Sequence, residues 1–247
     1  MSGPDAGLRY LRAATEALER AGDERADAVR TAGSWIADAV GAGGLLAVTG
    51  SGHSHMLAEE VFYRAGGLVA VLPILDPALM LHDAAVSGSR VERLSGLAEI
   101  RIDAAGIGPD DLLVVASNSG RNAYPIEAAL AAQARGTRVV ALTSVAHARS
   151  VPARHPGGRR LFEIADLVLD TDVPPGDACL SVRGVPVPVG PLSTVVASAL
   201  LQAAVASAIE RLAERGTPPP ILRSANVDEG GDAPDLTEWA KRVPPLR

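Results

Sequence analysis

Two short segments carry residue types that can grip a phosphate without a lysine. Gly50-Ser51-Gly52-His53-Ser54 follows the apolar run Leu45-Leu46-Ala47-Val48-Thr49 and precedes a helical pattern from His55 to Ala65. Ser117-Asn118-Ser119-Gly120-Arg121-Asn122 stands in the same place after Leu112-Leu113-Val114-Val115-Ala116. Glycine lets a chain turn sharply and come close to a ligand. The first N–H groups of a following helix are unpaired and carry the positive end of its dipole. With serine hydroxyls they form a neutral cradle for a phosphate monoester. Each hydrogen bond to a charged oxygen contributes about 1.5–3 kcal/mol, and ~8 kcal/mol corresponds to micromolar affinity. The competing reading is that these residues only cap helices. Two such loops at the ends of two strands weigh against it. A dinucleotide fingerprint does not fit, because its third glycine would fall on His55.

The elements that hold these loops are read along the chain. Apolar runs at 45–49, 68–72, 112–116, 138–143 and 165–170 alternate with helical patterns, including 125–135 and 191–215. Unbroken apolar strands between helices predict a parallel sheet covered on both faces, with ligands beyond the carboxyl ends of the strands. Pro73 is expected to end the second strand. Residues 1–44 form an N-terminal helical segment. Its apolar stripe (Leu8, Leu11, Leu18, then Val29, Ile36) belongs to one long helix or to two broken at Gly22. It packs on its own domain or on a second subunit. Residues 45–215 are the main domain. Residues 216–247, rich in Pro, Gly and Asp, form an irregular tail.

Composition narrows the function classes. Net charge is −6 with no basic block, which argues against nucleic acid or an anionic membrane as partner. Lys241 is the one lysine, so imine chemistry is not expected. One cysteine, Cys179, excludes an intrachain disulfide framework. No secretory signal is visible, and the apolar stretch Leu192–Ile209 reads as a buried helix and not a membrane span. The expected setting is cytoplasmic. His53 and His55 are two apart, a poor spacing for a metal, and no cofactor is called for. His147 and His155 stand among Arg149, Arg154, Arg159 and Arg160, a stretch read as a solvated loop.

The paired loops, GSGHS after LLAVT and SNSGRN after LLVVA, resemble the phosphosugar-binding loops of SIS (sugar isomerase) domains over roughly residues 5–215. The whole chain resembles a stand-alone bacterial branch of that family related to phosphoheptose isomerase, the tail stretch Ser224 to Gly231 included. The resemblance implies an α/β fold, a flavodoxin-like three-layer sandwich around a five-stranded parallel sheet. It implies a homodimer or homotetramer. It places a sugar phosphate on Ser117, Ser119, Asn122 and the Gly120 backbone. Ser51, Gly52, Ser54 and Asn118 would face the sugar or the phosphate.

Aldose–ketose isomerisation needs a group that moves a proton between C1 and C2, usually a glutamate or histidine. The candidates are Glu60 in the helix after loop one, His53 inside it, and Glu92 in the irregular stretch that can fold over the site. His55 and Glu59, four apart, are read as a mutual pair. Phosphoheptose isomerase carries a His-x-x-x-Glu set further along the helix, and those offsets fall here on Glu60 and Arg64. Its acid–base and metal chemistry therefore does not carry over. The leading expectation is a sugar-phosphate or amino-sugar-phosphate isomerase. The alternatives are a lyase or etherase acting on an amino-sugar phosphate, such as N-acetylmuramic acid 6-phosphate, and a non-catalytic sugar-phosphate sensor.

Overall fold

Residues 5–224, 226 and 234–246 are described by a computed structural model of the chain. The apolar runs become strands, largely buried in the first four and half-buried in the fifth: β1 (Leu46–Gly50), β2 (Val71–Ile74), β3 (Leu112–Ala116), β4 (Arg138–Thr143) and β5 (Leu167–Asp170). They pair in parallel, in the order β2-β1-β3-β4-β5. The order reverses between β1 and β3, so the crevice where such sheets bind ligands opens at the ends of these two strands. Loops one and two leave from those ends.

Helices α2 (Ala26–Gly41), α3 (Met56–Val61) and α8 (Ser193–Glu214) cover one face of the sheet, and α5 (Leu97–Ala105) and α6 (Ala123–Gln133) cover the other. The N-terminal segment is two helices. Helix α1 (Ala6–Glu24) ends at Arg25, three residues past Gly22, where φ is −109° and ψ 5°. Arg25 turns inward there, and its Nε donates to the Asp170 carbonyl at 3.1 Å. Helix α8 is long and apolar enough to cross a membrane by length and composition. Its buried residues, Val196, Leu200, Leu201, Ala204, Val205 and Leu212 among them, are spent on the core against α2.

Pro73 does not end the second strand. It sits inside β2, opposite Val48. Proline is tolerated there because β2 is an edge strand, where one missing N–H leaves no central ladder broken. Residues 68 and 69, expected in the strand, pair instead with the tail: Leu68 bridges Ile221, and Val69 N–H donates to Pro220 O at 3.2 Å.

The stretch from 74 to 100 resolves into a 3-10 turn (Pro77–Leu79), α4 (Leu81–Val91) and the start of α5. Helix α4 kinks at Ala84 and ends on Glu92. Helix α7 (Val145–Ser150) follows β4, and a hairpin of β6 (Ala178–Leu180) and β7 (Val189–Pro191), not anticipated from the sequence, precedes α8. The tail returns to the foot of the sheet through α9 (Trp239–Arg242). Arg242 Nη2 pairs with the buried Asp111 at 2.8 Å, and Asp111 also accepts the N–H groups of Leu45 and Gly108, each at 2.8 Å. Of the tail motif Ser224 to Gly231, Ala225 and the residues from Val227 onward lie outside the described residues.

Candidate functional site

The backbone of both loops is shaped by close packing. A Cβ on Gly50 would lie 2.6 Å from the Ser54 carbonyl oxygen. Gly120 has φ +54° and faces Leu161, which a side chain would meet at 3.0 Å. Loop one then closes as a 3-10 turn, Gly52–His55, ahead of the short α3. Loop two runs straight into α6.

Glu92 joins the two loops. Ser51 Oγ–H donates to its Oε2 at 2.7 Å, and Asn122 Nδ2 donates to its Oε1. Its backbone carbonyl accepts the Tyr124 N–H at 3.0 Å, which fastens the end of α4 to the start of α6. Asn122 occupies the cap position of α6 yet caps nothing with its side chain. Its oxygen accepts instead from Arg154 Nη1 at 3.1 Å. Helix capping is thus not what Asn122 is spent on.

Loop two retains free donors. Ser117 Oγ accepts the Gly120 N–H at 3.2 Å. Among the described residues, the N–H groups of Ser119, Arg121 and Asn122 and the Ser119 hydroxyl have no hydrogen-bond acceptor. That is the donor pattern an anion needs.

A narrow cleft, with a cavity volume of about 20 Å³, lies beside the loops, lined by His53, Ser54, Asn118, Thr143, Thr171 and Ser193 with Leu57, Leu142, Thr194 and Ala197. Strands β1, β3, β4 and β5 all end here. Asn118 Oδ1 is buried and has no hydrogen-bond partner among the described residues. Its amide nitrogen lies 3.5 Å from His147 Nδ1, which itself accepts the Gly176 N–H at 3.2 Å. A buried acceptor without a donor is costly, about 1–3 kcal/mol. It fits a sugar hydroxyl, which can donate, and not a phosphate oxygen. Burial holds the His147 imidazole below its ordinary pKa; Asp177 pulls the other way and Arg121 adds to the lowering. The amino end of α8 is already filled: Asp177 accepts the N–H groups of Leu192 and Ser193 at 3.0 and 2.7 Å.

The three acid–base candidates part company. Glu92 stands between the loops. His53 lines the cleft from loop one. Glu60 is turned away: it pairs with Arg64 at 2.8 Å and meets Gln202 of α8 at 3.3 Å. Gln202 lies nine positions beyond the cleft residue Ser193, about 13 Å along the helix. His55 is buried and pairs with Glu59 at 3.5 Å.

The basic stretch after β4 is largely exposed, as expected of a solvated loop, but it is tethered to loop two. Arg154 N–H donates to Arg121 O at 2.9 Å and Leu161 N–H to Gly120 O at 2.8 Å, so it is laid along loop two. Burial, then the like charges of Arg154, Arg93 and Arg160, hold the Arg121 guanidinium below its ordinary pKa. Sequence reasoning missed Arg154, Asp177 and His147 in these roles. The density of arginine from 149 to 160 was the one available signal.

A parallel sheet in 2-1-3-4-5 order, with glycine–serine loops at the switch point, defines a class, and the family model for the SIS domain matches residues 9–144. The chain belongs to the SIS-domain family. It is 43% identical over 241 residues to UPF0309 protein GK1441 of Geobacillus kaustophilus, a match spanning 96% of both chains. Its fold is similar to a phosphoheptose isomerase from Francisella tularensis, with TM-score 0.56 and 16% identity, covering 85% of this chain and 100% of that one. It is also similar to the Vibrio vulnificus NanR protein complexed with ManNAc-6P, with TM-score 0.53 and 18% identity, covering 99% of this chain and 71% of that one.

Proposed function

We propose that this chain binds a sugar phosphate at the two loops and interconverts its aldose and ketose forms. The observation that carries the reading is the Glu92 carboxylate, suspended between Ser51 of loop one and Asn122 of loop two at the switch point of the sheet. In this reading the phosphate sits on loop two, on the Ser117 and Ser119 hydroxyls and the Gly120 turn. Asn118 Oδ1 accepts a sugar hydroxyl, and Ser51, Gly52, Ser54 and His53 border the sugar. Glu92 removes a proton from the carbon beside the carbonyl, giving an enediolate; the hydroxyl proton passes from one oxygen to the other, and Glu92 returns its proton to the former carbonyl carbon. No metal or imine enters the step. The NanR protein, a neighbour in fold that is complexed with ManNAc-6P, supports this ligand class.

The assembly we infer is a homodimer or homotetramer. Leu8 and Leu11 of α1 are more than half exposed, and an apolar groove runs between α1, α2 and α8 past Ala21, Val29, Leu200 and Ala203. The setting we infer is the cytoplasm, where phosphorylated sugars are retained.

A thermal-shift panel of sugar phosphates tests the ligand class, because a ligand bound to the native state raises Tm. At least one phosphosugar is expected to raise it, and no shift with any would overturn the proposal. The Glu92 bridge also supports a second reading, a non-catalytic sensor in which ligand breaks the latch between the loops. A shift without turnover by NMR decides for the sensor.

A further inference from the structure

Resting on the sugar-phosphate reading above, we propose that the ligand carries a second anionic group, a carboxylate or a second phosphoryl, held by Arg93, Arg121 and Arg154 at the outer rim of loop two.

Three separate segments bring these residues to the rim of loop two, near enough for the charges of Arg93 and Arg154 to act on Arg121. Arg93 follows Glu92 at the end of α4, and that end is fastened to α6 by the Glu92 carbonyl. Arg121 lies within loop two. Arg154 comes from the stretch after β4, tied to loop two through its own N–H and through Asn122 Oδ1. The backbone thus fixes where the three residues stand.

Among the described residues, no carboxylate lies within ion-pair distance of any of the three, whereas Arg101, Arg215 and Arg242 elsewhere each have one at 2.9 Å or less. The carboxylate at hand, Glu92, is turned to Ser51 and Asn122. Arg121 Nε is buried with no hydrogen-bond partner. Like charges gathered without counter-charge destabilise the site until an anion arrives. A guanidinium is planar and forked, the shape that matches carboxylate or phosphoryl oxygens two at a time. The loop-two phosphate does not need these residues, because Ser119 and the free N–H groups already supply its donors. The arginines therefore serve another oxyanion on the same molecule, on the Asn122 side of the site.

Two matched pairs of ligands test this by titration calorimetry. N-acetylmuramic acid 6-phosphate differs from N-acetylglucosamine 6-phosphate by a lactyl carboxylate. Fructose 1,6-bisphosphate differs from fructose 6-phosphate by one phosphoryl. The doubly anionic member of at least one pair is expected to bind about tenfold tighter or more, as one charge-assisted bond of roughly 1.4 kcal/mol requires. Which pair shows the gain identifies the second group. Arg121→Gln and Arg93→Gln should bring that ratio close to one, and Arg121→Lys should restore only part of it. A monophosphate that binds and depends on Ser119, with no gain from the second anion, overturns this inference and leaves the sugar-phosphate reading intact. A gain that survives both substitutions also overturns it. If no ligand of either pair binds, this inference falls, and the thermal-shift panel decides the sugar-phosphate reading separately.

Discussion

Replacing Glu92 by glutamine separates holding the loops from moving a proton. The carboxylate accepts from Ser51 Oγ at 2.7 Å and from Asn122 Nδ2. The direction of the Asn122 bond is fixed, because its oxygen is engaged by Arg154 at 3.1 Å. The glutamine oxygen must therefore face Asn122, and its NH2 must face Ser51. The serine hydroxyl can rotate and accept, so both contacts survive as neutral bonds. A bond to a charged group is worth about 1.5–3 kcal/mol and a neutral one about 0.5–1.5 kcal/mol. The expected loss of stability is roughly 1–3 kcal/mol, a fall in Tm of about 2–12 °C for a chain of this size. Ligand-induced stabilisation should persist. The amide cannot take up a proton, so turnover should fall by about 10²–10⁴, or roughly 3–5 kcal/mol of barrier. The assay is NMR in deuterated water, following aldose–ketose conversion and solvent deuterium at C1 and C2 of the phosphosugar that gives the largest thermal shift. Glu60→Gln, made in parallel, should run near the wild-type rate. A Glu92→Gln enzyme within fivefold of wild type would refute the assignment of the base.

Ser119→Trp should abolish the thermal shift by filling loop two while leaving the ligand-free Tm nearly unchanged; a retained shift would show that the phosphate lies elsewhere. At the foot of the sheet, Asp111→Ala should cost about 3 kcal/mol or more, since it strands two backbone N–H groups and the Arg242 guanidinium. Arg242→Gln should cost about 1 kcal/mol. The Asp111 side chain is 2% exposed and that of Arg242 44%, and equal losses in chemical denaturation would contradict this asymmetry. His147 is held below its ordinary pKa of 6.5, so the unfolded chain binds a proton that the folded chain refuses. Stability contributed by the neutral ring is complete above about pH 6.5 and is lost as pH falls below it. His147→Asn should flatten that part of the Tm–pH curve, and an unchanged slope would exclude His147 as its source.

The parts of the fold legible in the sequence were those set by local pattern. Strand β4 runs from Arg138 to Thr143 as its apolar run indicates, and both loops stand where the glycines and serines placed them. Pro73 misled because proline is a breaker only where its N–H is needed, and the edge position of β2 is a property of the sheet, not of the run. Glu92 was named but could not be preferred over Glu60. Its partner Ser51 is 41 residues away, and nothing in the stretch between them reports that α4 kinks back over loop one. Arg154 and Arg242 were hidden for the same reason: their partners, Asn122 and Asp111, are 32 and 131 residues distant.

Proline at the rim of the sheet also bears on how copies of the chain can meet. An open strand edge is a template on which another chain can lay a strand, the route to runaway sheet growth. On β2 that route is obstructed twice. Pro73 offers no N–H to an incoming backbone, and the segment around Ile221 already lies against Leu68 and Val69. The assembly proposed above would therefore not use this edge but the helical face of α1 and α8, where contact would bury side chains.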